Sequence, residues 1–120
     1  MAFNVSTRQA GKVAIVDLSG KITLGEGSGS LRSAIKELVS AGERSILVNL
    51  SDVTYLDSAG LGELVGTYAT VTNLGGDIKL LRPQGKVKDL LAVTKLYTVF
   101  VTFEDEAAAL ASFGGDAAGA

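Results

Sequence analysis

The chain lacks cysteine, histidine and tryptophan, and it contains a single proline among its 120 residues. Without cysteine there are no disulfides and no thiolate nucleophile. Without histidine there is no imidazole general base, and the usual zinc and copper ligands are missing. We therefore expect no metal site, and the chain lacks the residues that most common catalytic sites require.

A strong charge of one sign and a long apolar run are missing as well. The 11 basic and 13 acidic residues give a formal net charge of −2. They are mixed along the chain, without the basic stripe that follows a nucleic-acid backbone. No apolar run reaches bilayer-spanning length, and residues 1–8 lack the charged-then-apolar pattern of a signal peptide. We expect a soluble cytoplasmic protein that neither binds nucleic acid nor inserts into a membrane.

The chain does contain enough apolar material for one core, since 47% of its residues are hydrophobic. We predict one domain over residues 1–113. Residues 114–120 are mostly small and have little to bury, so we predict a C-terminal tail without fixed structure.

Hydrophobic patterning predicts strands followed by helices along most of the chain. A turn at residues 9–12 joins the first two strands into a hairpin, and Ser19-Gly20 ends it. The predicted strands are residues 3–7, 13–18, 46–50, 78–81 and 99–103. The first predicted helix follows the glycine-rich loop 24–30, with Ser28 or Ser30 as its cap, and the second runs from about Ser58 to Leu74. The third starts at Pro83, and the fourth covers residues 104–112. The run 46–50 is almost wholly apolar, which favours a central strand covered on both faces. This order predicts an α/β domain with a mixed sheet of about five strands, four helices and parallel crossover connections.

The segment Leu56-Asp57-Ser58-Ala59-Gly60-Leu61-Gly62 stands where a buried strand gives way to a helix. Ser58 falls at or near the helix N-cap, where unpaired backbone N–H groups and the positive end of the helix dipole would stabilise an oxygen or a phosphate. The ordinary interpretation is that Asp57 or Ser58 caps the helix, which is worth about 1 kcal/mol. A switch is favoured by two points: Ala59-Gly60 leaves the approach to the hydroxyl open, and α/β sheets place their binding surfaces at the carboxyl ends of strands.

A serine at a strand-to-helix junction also suggests the nucleophile elbow of hydrolases. That motif would need glycine where Leu56 stands, and its triad would need a histidine. Only a Ser–Lys pair, with Lys79 or another lysine as base, remains formally possible.

Two glycine patterns suggest nucleotide binding, and both are incomplete. Gly60, Gly62 and Gly66 have the wrong spacing for a dinucleotide fingerprint, and Arg82 stands where a ribose-binding acid belongs. We interpret Gly62 and Gly66 as positions that let the helix lie close to the sheet. The glycines of residues 25–29 are not followed by the Gly-Lys-Ser/Thr of a phosphate loop. We expect no cofactor.

The stretch Asp57-Ser58-Ala59-Gly60-Leu61-Gly62, with residues 47–53 before it and the strand end Leu18-Ser19-Gly20, resembles the STAS domain family and, within it, the bacterial anti-sigma factor antagonists. The resemblance covers about residues 3–112. It implies a small α/β domain whose mixed sheet is covered by helices mainly on one face. It also implies a protein without a catalytic site of its own.

The resemblance further implies a function and a set of site residues. Ser58 would be the phosphoacceptor of a partner that is both a serine kinase and an anti-sigma factor. The unmodified form would bind that partner, the phosphorylated form would not, and a serine phosphatase would reset the protein, which we expect to be a monomer or weak homodimer. Thr23 stands where many relatives carry an aspartate, in a loop that is longer here. The implied partner-binding residues are Thr23, Asp57, Ser58, Ala59, Gly60 and Leu61.

Three alternative hypotheses stay open at this point. The chain could be a scaffold component of a large stress-signalling assembly, phosphorylated on the same serine. It could be a cytoplasmic STAS accessory subunit of a membrane transporter. The third alternative is a Ser–Lys hydrolase, which lacks a group with a near-neutral pKa to act as base.

Overall fold

Ten elements follow one another in the computed structural model, which describes residues 3–23 and 28–113. They are β1 (Asn4–Ala10), β2 (Val13–Ile22), α1 (Ser28–Ser40), β3 (Ser45–Leu56), α2 (Ser58–Asn73), β4 (Asp77–Leu81), α3 (Gly85–Val93), a 3-10 turn (Leu96–Thr98), β5 (Thr102–Phe103) and α4 (Glu106–Ser112). The predictions for the tail 114–120, and for the part of the glycine-rich loop at residues 24–27, lie outside the described residues.

The sheet has five strands in the order β1-β2-β3-β4-β5. β1 runs antiparallel to β2, and the pairs β2–β3, β3–β4 and β4–β5 are parallel. The mixed five-stranded sheet and the central position of β3 confirm the prediction. Parallel strands need crossover connections, and α1, α2 and α3 supply them.

The core has two layers, because neighbouring residues in a strand point to opposite faces of the sheet. Val16 and Val48 face the layer that α1, α2 and α3 cover, whereas Ile15 and Leu47 face α4. Three helices thus lie on one face, and α4 closes the other with Ala109 and Phe113. This arrangement confirms helices mainly on one face. Within the described ranges, no helix has both the length and the hydropathy of a membrane span.

The predicted last strand, residues 99–103, is wrong over most of its length. Only Thr102–Phe103 pairs with β4, because the backbone N–H groups of Val99 and Phe100 both donate to the carbonyl of Leu96 and close a turn. Of the four apolar residues in this segment, Phe100 is the buried one, and it packs edge-on against Tyr68 with ring centroids 5.3 Å apart.

Two helix starts also differ from the predictions. α3 begins at Gly85 and not at Pro83, because Gln84 has an extended backbone and lies outside the helix as its N-cap. α4 begins at Glu106, since the carboxylate of Asp105 accepts from the N–H of Ala108 at 2.9 Å and caps it.

Both predicted caps of α1 are wrong. Ser28 is the first helical residue of α1 and Ser30 lies within its first turn, so neither is the N-cap.

β2 and β3 extend beyond their predicted ends, and this extension positions the site described below. β2 does not end at Ser19-Gly20, because Gly20 adopts φ 95° at a register irregularity and the pairing resumes. The two strands stay paired up to Ile22 opposite Leu56. β4 pairs only with Ser45 to Asn49, so the last residues of β2 and β3 project beyond it as a two-stranded ribbon.

Candidate functional site

The candidate site lies where β3 passes into α2, at the tip of the β2–β3 ribbon. The N–H of Asp57 donates to the carbonyl of Ile22 at 3.2 Å, directly after the last paired residues of the ribbon. This bond fixes the start of α2 to the end of β2. The sheet therefore dictates where the first helical turn points.

Asp57 is the N-cap of α2. Its backbone is extended, its carboxylate accepts from the N–H of Gly60 at 2.8 Å, and its carbonyl accepts from the N–H of Leu61 at 2.9 Å. The sequence left the cap open between Asp57 and Ser58, and the structure assigns it to Asp57. Ser58 is the first helical residue.

The side chain of Ser58 is exposed to solvent. Its hydroxyl makes no hydrogen bond to any residue in the part of the chain that the structure describes. Because Asp57 already performs the capping, the hydroxyl of Ser58 is not needed to hold the helix. It stands at the electropositive start of a 16-residue helix, where an added anionic group is favoured.

Gly60 has a packing role that the sequence did not suggest. Gly60 is buried, and a Cβ atom placed on it would lie 2.4 Å from the carbonyl oxygen of Ile22 and 2.7 Å from Cδ1 of Leu56. The prediction that Gly62 and Gly66 let the helix approach the sheet is wrong, since a Cβ on either meets nothing within 4 Å and both are exposed. Gly60 is the residue that brings α2 against the sheet. It keeps the helix start in place, and being buried it offers little surface to a partner.

The other predicted site residues lie around Ser58 at the same end of the sheet. Thr23 follows the last residue of β2 and is half-buried. Ala59 is half-buried beside Ser58, and Leu61 is half-buried against the core. The structure thus brings Thr23 close to the start of α2, although it lies 34 positions before Asp57 in the chain.

A salt bridge one turn into α2 joins this helix to α1. The guanidinium of Arg32 donates from Nε to Oε1 of Glu63 at 3.0 Å and makes a second, parallel contact. Glu63 raises the pKa of Arg32 above its ordinary value. The pair joins the second turns of the two helices.

A depression beside the ribbon was not anticipated from the sequence. It has a volume of about 420 Å³ and is lined by Lys21, Thr23, Thr54, Tyr55 and Lys86. No local pattern could have indicated it, because Lys21 and Tyr55 become neighbours only through the unpredicted extension of β2 and β3, and Lys86 comes from α3.

The nucleotide motifs and the metal ligands can now be placed. Gly60, Gly62 and Gly66 are all inside α2, so they form no loop that could surround a phosphate. Among the described residues, no group of three or more acidic side chains is placed to hold a metal ion.

Comparison with known proteins identifies the family. A family model described as STAS domain matches residues 4–109. The chain belongs to the STAS domain family. An anti-sigma-B factor antagonist of Bacillus subtilis is 32% identical to this STAS domain over 96 residues, which are 80% of this chain and 86% of that protein.

Solved structures share the fold of this STAS domain. An anti-sigma factor antagonist from Mycobacterium paratuberculosis superposes with a TM-score of 0.82 at 22% identity, covering 92% of this chain and 93% of that one. The anti-sigma factor antagonist SpoIIAA superposes in its unphosphorylated form with a TM-score of 0.71 at 19% identity, over 95% of this chain and 99% of that one. Its phosphorylated form, from Bacillus, gives 0.67 at 19% identity, over 89% and 96%. These likenesses confirm the predicted α/β fold.

Proposed function

We propose that this STAS domain is an anti-sigma factor antagonist that phosphorylation of Ser58 switches off. The unmodified form binds an anti-sigma factor through the surface around Ser58, and the phosphorylated form is released. The observation that carries the proposal is the hydroxyl of Ser58, which is exposed beside the Asp57 cap and bonds to none of residues 3–23 and 28–113. The relative from Bacillus subtilis, which is named an anti-sigma-B factor antagonist, supports the same function.

The proposal requires a partner that brings its own catalytic groups. The chain has no histidine, and Ser58 has no base bonded to it among the described residues, so the phosphoryl group is transferred by a serine kinase, which we propose is the anti-sigma factor itself. The hydroxyl oxygen of Ser58 bonds to the γ-phosphorus of ATP, the bond to the bridging oxygen of ADP breaks, and the hydroxyl proton passes to a base of the kinase. A serine phosphatase then hydrolyses the phosphoserine: water attacks the phosphorus, the bond to the serine oxygen breaks, and inorganic phosphate is released as the hydroxyl is restored. ATP places this cycle in the cytoplasm.

The switch is electrostatic in this proposal. A phosphoserine carries about −1.5 to −2 charge at neutral pH. The start of α2 accommodates this charge with a gain of about 0.3–1 kcal/mol, so the domain stays folded. A partner surface shaped for a neutral hydroxyl next to the Asp57 carboxylate then meets a bulky, hydrated dianion. Since each 1.4 kcal/mol weakens binding about tenfold, a penalty of about 3 kcal/mol lowers the affinity about 100-fold.

Four baits and one kinase assay test the proposal. Ser58→Ala and Ser58→Asp are compared with Ser33→Asp, a control that adds the same charge at another exposed serine, on α1. We expect wild type, Ser58→Ala and Ser33→Asp to capture a kinase-type anti-sigma factor from the source cells, and Ser58→Asp to lose it. The captured kinase with ATP should phosphorylate wild type on Ser58, as located by mass spectrometry. Phosphate on a different residue, or equal capture by all the baits, would refute the proposed switch.

The scaffold alternative predicts a different particle size. A stress-signalling scaffold forms very large particles with its partners, whereas an antagonist stays a monomer or weak dimer. Light scattering on the purified protein separates the two.

A further inference from the structure

The depression beside the ribbon, which we name the lysine groove, is lined by Lys21, Thr23, Thr54, Tyr55 and Lys86. Its lining, as far as the described residues form it, has two ammonium groups and no carboxylate. Neither Lys21 nor Lys86 forms an ion pair or a side-chain hydrogen bond within the described part of the chain. The groove therefore presents uncompensated positive charge, although the chain as a whole carries a net charge of −2.

The groove also has an apolar component. Tyr55 is a large side chain with 39% of its surface exposed, and lysine side chains add the methylene groups of their stems. A second depression of about 340 Å³ shares Tyr55 and Lys86 and continues along α3 to Val93, which is 80% exposed. Asp89 lines this second depression and keeps it less positive than the first. The two depressions together form a shallow track, which is positively charged at Lys21 and apolar at Val93.

The shape of this track favours a protein segment over a small molecule. Sites for small ligands bury most of the ligand in a concave cavity, whereas protein partners bind open surfaces with an apolar centre and a polar rim. Both depressions are bordered mainly by exposed side chains, so a small ligand would stay largely in water. A protein segment with a carboxylate side chain next to an apolar side chain would match the track, because the positive depression is followed by the more apolar one.

The lysine groove is continuous with the surface around Ser58. Tyr55 is the second-last residue of β3, three residues before Ser58, and Lys21 precedes Ile22, whose carbonyl accepts from the N–H of Asp57. A partner that covers Ser58 must extend only a short distance along the ribbon to reach Lys21. One footprint therefore combines a negative end at Asp57 with a positive end at the two lysines.

We propose that the lysine groove is the second contact of the anti-sigma factor, and that it binds an acidic segment of that protein, a carboxylate side chain lying between Lys21 and Lys86 with an apolar neighbour against Tyr55. This inference rests on the proposed function. The two ends of opposite charge orient the partner, because a rotated complex would place its acidic segment against Asp57. Phosphorylation then disrupts only the end at Ser58, so the groove contributes to the encounter in both states.

The test uses the purified anti-sigma factor that is captured and identified with wild-type bait. Association and dissociation rates are measured by biolayer interferometry at low and high salt for wild type and for the double variant Lys21→Glu/Lys86→Glu. The matched control is Lys12→Glu/Lys36→Glu, which makes the same change in net charge at two exposed lysines outside the groove. Circular dichroism on heating checks that each variant is folded.

We expect the groove variant to lower the association rate constant about tenfold at roughly 50 mM salt, and to remove most of its salt dependence, because charges at an interface rim act mainly on association. The control should change the association rate constant less than about twofold. Groove and control variants with the same rates would overturn the groove contact, while loss of binding in Ser58→Asp would still support the proposed function. Failure of wild type to bind any kinase-type anti-sigma factor would refute the proposed function, and with it this inference.

Discussion

Replacing Gly60 with alanine isolates the contact that holds the start of α2 against the sheet. The added methyl group would lie 2.4 Å from the carbonyl oxygen of Ile22, 2.7 Å from Cδ1 of Leu56 and 3.0 Å from Cγ2 of Ile22. The first neighbour is backbone within the paired ribbon and cannot rotate away. The helix start must therefore move outward.

The size of the effect follows from two opposing contributions. Relieving the contact with the Ile22 carbonyl from 2.4 Å to an ordinary distance needs a shift of about 1 Å, and overpacking of this kind costs about 1–3 kcal/mol, occasionally more. Alanine in place of glycine in a helix gains about 1 kcal/mol at most. The same shift stretches the 2.8 Å bond between the Gly60 N–H and the Asp57 carboxylate. Because the contacted atom is backbone, the packing cost lies near the upper end of its range, and subtracting the gain of about 1 kcal/mol leaves an expected net loss of about 2 kcal/mol in the free energy of unfolding.

Urea denaturation of wild type, Gly60→Ala, Gly62→Ala and Gly66→Ala measures this effect against two internal controls. Gly62 and Gly66 belong to the same helix, are exposed, and have free space at the Cβ position. Alanine there should raise the free energy of unfolding by about 0.5–1 kcal/mol each. Gly60→Ala should unfold at a lower urea concentration than wild type. A Gly60→Ala protein as stable as Gly62→Ala would refute the close approach of α2 to the ribbon.

Three further outcomes follow from the structure. Arg8 forms ion pairs with Asp17 and Glu106 and lowers the pKa of both carboxyl groups. Their contribution to stability is therefore fully present above about pH 4, where carboxyl groups in the unfolded chain titrate. It is lost as the pH falls through their lower pKa values in the folded protein. Arg8→Gln should therefore lower the free energy of unfolding by about 1 kcal/mol at pH 7, the value for solvent-screened pairs, and by less at pH 3. A difference between the urea midpoints of variant and wild type that stays the same from pH 7 to pH 3 would contradict this. Asp57→Ala should lower the free energy of unfolding by about 1 kcal/mol through loss of the N-cap, while Asp57→Asn retains most of it; equal losses would argue against the cap. Phe100→Ala should cost about 3–5 kcal/mol because the ring is buried beside Tyr68, and a loss under 1 kcal/mol in thermal denaturation would place the ring outside the core.

Local patterns in the sequence were sufficient for the order of the elements and for the central strand. Period-two and continuous apolar runs depend on which faces of a segment are buried, so the run 46–50 indicated a strand covered on both sides. The strand-to-helix junction at Ser58 was visible for the same reason. The prediction of a strand over residues 99–103 was wrong because an apolar run around Phe100 has the composition of a strand, whether its residues pair with a neighbouring strand or fold into a turn.

The sequence by itself determined the residue types available at the site: a serine hydroxyl, a capping carboxylate, and no histidine or cysteine for chemistry. Only the tertiary structure decided that Asp57 is the cap, that Gly60 and not Gly62 or Gly66 meets the sheet, and that Lys21 and Lys86 share a groove. Composition and spacing predict only the structure of neighbouring residues in the chain, whereas these three results depend on how far β2 and β3 stay paired. That pairing joins residues more than thirty positions apart, and no local pattern encodes its length.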